Sequence, residues 1–163
     1  MSIKIQITLT PLFKKLNFKD HSSIVLHNSP ESFKIELSEM SKVTAVFTNA
    51  GKVEEIDFVL CFAVSIDEIK DFLNKNISKL QGDAVIWICY PKQSSKKYKS
   101  EINRDMGWEF MAEHELEPVR QVAIDDDWSA LRFRKVSYIK NITRRESFAV
   151  TDEAKKRTTQ KGK

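Results

Sequence analysis

One loop of this chain gathers side chains that could do chemistry. Lys92, Ser94, Ser95, Lys96, Lys97 and Lys99 follow Pro91, and Arg104 and Asp105 stand a few residues further on. Cations and hydroxyls on one loop suit an anion such as a phosphate or a carboxylate. Ser94 and Lys97 also have the Ser-x-x-Lys spacing that places an amine beside a nucleophilic serine in some hydrolases. The companion motifs of such enzymes are missing, and the serine does not open a helix. The loop therefore reads as a solvated binding segment, with no catalytic residue assigned. Asp125-Asp126-Asp127 would attract a divalent cation by charge, yet three successive carboxylates point apart, and an acidic turn is the simpler reading. Trp128 and Ser129 follow it directly. The candidate ligand-binding set is Lys92, Ser94, Ser95, Lys96, Lys97, Arg104, Asp105, Asp125, Trp128 and Ser129, with no metal ligand among them.

Absences narrow the chemistry. The four glycines are Gly51, Gly82, Gly107 and Gly162, and none follows the first expected strand, where the chain reads His27-Asn28-Ser29-Pro30. A turn that brings backbone close to a nucleotide needs glycine there, so the usual cofactor cradle is missing. No Walker-type phosphate loop is present either. His21, His27 and His114 are scattered, and Cys61 and Cys89 each sit alone in an apolar run. Those cysteines read as buried free thiols, not as metal ligands or a disulfide.

These residues need a scaffold, and the hydropathy pattern supplies one. Thr10 to Phe18 reads as a short helix capped by Thr10 with Pro11 at its first position, lying on the sheet as a lid. Strands are expected at Ser22 to His27, Val43 to Thr48, Ile56 to Val64 and Ala84 to Tyr90. A short or irregular helix, with Ser29 as cap and Pro30 at its start, separates the first two. Ile56 to Val64 is apolar on both faces, as a central parallel strand covered by helices must be. Ser65 caps an amphipathic helix that Gly82 ends. Ile102 to Glu115 is expected as a second long helix. After Pro118, Val119 to Ile124 and Trp128 to Val136 form a hairpin around the three aspartates. The fold class is α/β: a three-layer Rossmann-like sandwich, mostly parallel, closed by a C-terminal antiparallel hairpin.

At 163 residues, 41% apolar and 31% charged, the chain is a single globular domain over 1–139 with a basic, flexible tail at 140–163. From Lys140 onward eight Lys/Arg oppose three acids, a surplus of five in a chain of net charge +4, so the rest carries −1. Any nucleic-acid contact would then be weak and made through the tail. No run reaches the ~20 apolar residues of a membrane helix, and the N-terminus has no secretion signal pattern. A cytoplasmic protein without a membrane partner is expected.

The segments PLFKKL (11–16), YPKQSSK (90–96), INRDMGW (102–108) and VAIDDDWSALRFR (122–134) resemble an uncharacterised bacterial family, the domain of unknown function numbered three thousand and fifty-two. The likeness covers about residues 8–136 and is most specific at Asp125, Trp128, Ser129, Leu131 and Phe133. It implies a reduced class I methyltransferase-like fold and carries no established activity. Two departures from methyltransferases stand out: the first strand lacks its glycine-rich turn, and the second ends in Thr48-Asn49 where an acid usually holds the ribose. No cofactor is therefore expected. The expected function is a non-enzymatic or degenerate methyltransferase-like module binding an anionic small molecule or a protein at the Lys92–Lys97 edge. The alternative is an S-adenosylmethionine-dependent methyltransferase with an unconventional cofactor site.

Overall fold

The computed structural model describes residues 9–103 and 108–139. Six strands form one sheet in the order β2-β1-β3-β4-β6-β5. The strands are β1 (Ser23–His27), β2 (Ala45–Phe47), β3 (Ile56–Phe62), β4 (Leu80–Pro91), β5 (Leu116–Ala123) and β6 (Trp128–Lys135). The first four are parallel, and β6 runs antiparallel to both β4 and β5. Chain order reverses at β1, which lies between β2 and β3. The carboxyl ends of β1 and β3 therefore diverge into connections on opposite faces, the place where open α/β sheets form a crevice.

Helices cover both faces. On one, α1 (Pro11–Lys15) and α2 (Lys34–Met40) cover Phe58, Leu60 and Trp87; on the other, α3 (Ile66–Asn76) covers Val59, Ile86 and Ile88. Period-two alternation along β3 and β4 sends neighbouring residues into different cores, which is why both strands read as unbroken apolar runs. Cys61 and Cys89 show the result. Each is fully buried, but they belong to opposite faces and remain free thiols.

The lid helix forms for the reasons its sequence gives. Thr10 Oγ1 accepts the Phe13 N–H at 3.2 Å, Pro11 occupies the first turn, and Phe13 and Leu16 are buried. Phe13 meets Phe33 and Phe58 at ring distances of 6.1 and 6.0 Å. From the middle of the sheet, Trp87 Nε1 donates to the Leu16 carbonyl at 2.8 Å.

Several expectations need correction. Residues 102–115 are not one long helix: a 3-10 helix covers only Glu109–His114, and Glu115 turns left-handed at φ 57° to end it. Ser29 is not a cap; the backbone enters a 3-10 turn at Glu31–Phe33 from Pro30 with no side-chain capping bond, and α2 follows. Gly82 does not end α3, which stops at Asn76. It sits inside β4 at φ +52°, in the stretch where the register against β3 slips between Ile56 and Phe58. Glycine suits that left-handed residue of a bulge. β5 begins before Pro118, not after it, and the strand tolerates the proline because it is an edge strand with a register irregularity at Pro118/Arg120. The second strand is shorter than expected. Only Ala45–Phe47 pair with β1 at the other edge.

Candidate functional site

The expected loop and hairpin do meet. Lys92 donates its backbone N–H to the Asp127 carbonyl at 2.8 Å, and Ser95 Oγ donates to Asp127 Oδ1 at 2.7 Å. The same hydroxyl accepts the Lys97 and Tyr98 N–H groups at 3.3 and 3.1 Å. Ser95 is thus the pivot of its own loop, and its proton is committed to a carboxylate. Asp125 Oδ1 accepts from the backbone of Asp127 and Trp128, both at 2.8 Å, so it holds the turn closed. Ser129 is buried opposite Tyr90. Ser94, Lys96 and Lys97 remain exposed, and Lys97 Nζ lies 5.5 Å from the Tyr98 ring centre. Arg104, Asp105 and the tail at 140–163 lie outside the described residues.

Beside this loop is a cleft of about 290 Å³ at the diverging ends of β1 and β3, lined by Asn28, Pro30, Phe62, Ala63, Val64, Glu68, Tyr98 and Trp128. Of these eight residues, Trp128 alone belongs to the candidate set expected from sequence. Each of the others arrives for a local reason. Asn28 follows β1 in the left-handed region at φ 56°, a conformation asparagine tolerates better than most residues and one that turns the chain sharply after the strand. Phe62 ends β3, and Ala63 continues its path by donating its N–H to the Cys89 carbonyl at 2.9 Å. Ser65 caps α3 by accepting the Glu68 N–H at 3.2 Å, while Glu68 Oε2 reaches back to the Val64 N–H at 3.2 Å. That reciprocal pair holds the carboxylate at the cleft wall. The wall is tied from the other side too, since Ser100 Oγ donates to the Val64 carbonyl and Ile66 N–H donates to Glu101 at 3.4 Å.

Three rings form the aromatic side. Trp128 stands 5.2 Å from Phe62, edge to face, and 4.9 Å from Tyr98. Trp128 is 3% exposed, and its Nε1 has no hydrogen-bond partner among the described residues. Among the described residues Glu68 is the only carboxylate in the lining, and no described lysine or arginine belongs to it. His27, at the end of β1, lies 5.1 Å from Phe72, and burial lowers its pKa below 6.5 against the upward pull of Asp71 and Glu68. Burial raises both thiols far above their ordinary range.

Among the described residues, no group of three His, Cys, Asp or Glu side chains is placed to hold a metal ion, and no helix is long and apolar enough to cross a membrane. The site that emerges is aromatic with one carboxylate, and the described lysines of the loop lie outside its lining.

No family model and no curated protein matches the chain. Among solved structures it is similar to a protein of the NADB-Rossmann superfamily from Streptococcus agalactiae, at 14% identity over 78% of this chain and 69% of that one, with a TM-score of 0.47. A B. subtilis tRNA methyltransferase, TrmK, matches at 8% identity over 79% and 67%, with a TM-score of 0.46. A SAM-dependent methyltransferase from Aquifex aeolicus matches at 10% over 76% and 87%, with a TM-score of 0.44. Likenesses at this level carry no activity across, and the mixed α/β, Rossmann-like character of the chain stands on its own six-stranded sheet and strand order.

Proposed function

We propose that the protein is a Rossmann-like, methyltransferase-like binding module whose ligand occupies the cleft at the ends of β1 and β3, and that this ligand carries a flat ring and a positive charge. The observation that supports this is the lining itself, which combines the rings of Phe62, Tyr98 and Trp128 with the carboxylate of Glu68. Aromatic faces favour a planar ring or a cation, and a lone carboxylate favours a cation over an anion. S-adenosylmethionine belongs to that class. Its adenine suits Tyr98, the part-exposed ring that Trp128 backs, and its sulfonium and ammonium groups suit Glu68.

The fit stops at the ribose. A carboxylate about twenty residues beyond the first strand commonly holds ribose hydroxyls, and here that region reads Phe47-Thr48-Asn49. Asn28 is the polar group left near that end of the cleft. The reading is therefore of binding without methyl transfer, and no catalytic residue is assigned. Membership of the uncharacterised family that the loop and hairpin resemble would add no activity to it.

An anionic ligand at Lys92, Ser94, Lys96 and Lys97 is the second reading, supported by the exposed side chains of Ser94, Lys96 and Lys97. Asp125 and Asp127 beside that loop oppose it by charge. Calorimetric titration with S-adenosylmethionine, its demethylated product and inorganic phosphate separates the two. The expected result is saturable binding of the sulfonium compound, weakened at least about tenfold by Tyr98→Ala and weakened less for the demethylated product by Glu68→Gln. Absence of saturable heat with either adenosyl compound at millimolar concentration removes the first reading. Phosphate binding that Lys96→Gln/Lys97→Gln abolishes would establish the second.

A further inference from the structure

The outer third of the sheet holds an arrangement that the cleft does not use. Register places Arg120 of β5 directly opposite Arg132 of β6, and Arg134 emerges two residues further along the same face. The preceding cross-strand pair, Val122 and Ala130, belongs to the core under α1 and α2, so the three guanidinium groups share that face. Among the described residues one carboxylate answers them. Asp83 of β4 takes Arg134 in a two-pronged pair, Nε to Oδ1 at 2.8 Å and Nη2 to Oδ2 at 2.6 Å. Glu117, opposite Arg134 in the register, is fully buried.

Neither Arg120 nor Arg132 has an ion pair or side-chain hydrogen bond among the described residues. Like charges directly opposite on neighbouring strands destabilise the pairing. Arg132 is also half-buried, with its Nε closed off from solvent and unpartnered. Burial, then Arg134 and Arg120, push its pKa below the ordinary arginine value, while Asp83 pulls it back. Two unpaired guanidinium forks on adjacent strands, with Cα atoms ~5 Å apart, match the oxygens of a phosphate group better than any lysine pair would.

We infer that Arg120 and Arg132, flanked by Arg134 in its fixed pair with Asp83, form a second binding site, for a phosphate group, separate from the cleft. Trp128 at the cleft and Arg132 are four residues apart on β6, about 13 Å at strand rise, so the two sites can fill independently. Phosphate of this kind comes either from a small phosphorylated molecule or from a nucleic-acid backbone.

Thermal melts of the full chain in millimolar pyrophosphate, against sodium chloride of matched ionic strength, test the site. The wild type should gain about 3 °C, and Arg120→Gln/Arg132→Gln should lose the gain. The basal melting temperature of that double variant should stay level or rise, because a like-charge pair has gone. Arg120 is exposed, so Arg120→Gln alone provides a variant whose folding is not at risk. Fluorescence anisotropy with a short single-stranded oligonucleotide identifies the source: binding reduced at least tenfold by the double variant assigns the phosphate to a nucleic acid, and a pyrophosphate shift alone assigns it to a small molecule. The inference is overturned if neither probe gives a response that the double variant loses.

Discussion

Trp128 links the expected loop to the cleft it borders. Its ring is almost fully buried against Phe62 and Tyr98, yet its Nε1 has no acceptor among the described residues. A buried donor without a partner costs ~1–3 kcal/mol. Trp128→Phe removes that cost along with part of the ring's packing, so the two effects oppose. The variant should unfold in urea within about 1 kcal/mol of the wild type, whereas a loss of ~3 kcal/mol would mean that the indole N–H is satisfied in solution. The position of Trp128 at the start of a strand was legible in sequence because an acidic turn precedes it. Glu68 was not, since a carboxylate in the first turn of an amphipathic helix looks the same whether it faces solvent or a crevice. Only the long-range placement of β1 beside β3 gives it a site to line.

At the level of elements, the strands that cross the core were readable and the irregular segments were not. β3 and β4 announce themselves by apolar residues on both faces. Residues 102–115 carry Trp108, Phe110 and Met111 at spacing a helix would also produce, but these side chains serve a 3-10 helix packed on the core that α3 covers. Periodicity over so short a stretch does not separate the two geometries. The Ser65 cap was legible because its chemistry is local. It joins α3 to the cleft wall, so Ser65→Ala should cost about 1 kcal/mol in chemical denaturation. The same variant should loosen the Val64–Glu68 bond and weaken any cleft ligand. An unchanged denaturation midpoint would show that the helix start is held by Glu68 alone.

For the molecule as a whole, His27 ties stability to pH. Burial keeps its folded-state pKa below 6.5. As pH falls through about 6.5 the unfolded chain takes up the proton first, so stability begins to drop there and the loss levels off only below the folded pKa. Between about pH 7 and pH 5.5 the melting temperature of His27→Gln should fall less than that of the wild type. Parallel curves would contradict this assignment. The overall order of strands is only half visible in a sequence: alternating β and α patterns imply a mostly parallel sheet, but which strand lies next to which is set by crossovers that leave no local mark. One bond carries a consequence for how the molecule assembles. The Trp87 indole N–H reaches the Leu16 carbonyl across 71 residues of chain, so it can form only after the central sheet and the lid helix have met. Its exchange with deuterium therefore runs as a clock for lid undocking, and exchange faster than that of the central-strand amides would show that the lid opens without global unfolding.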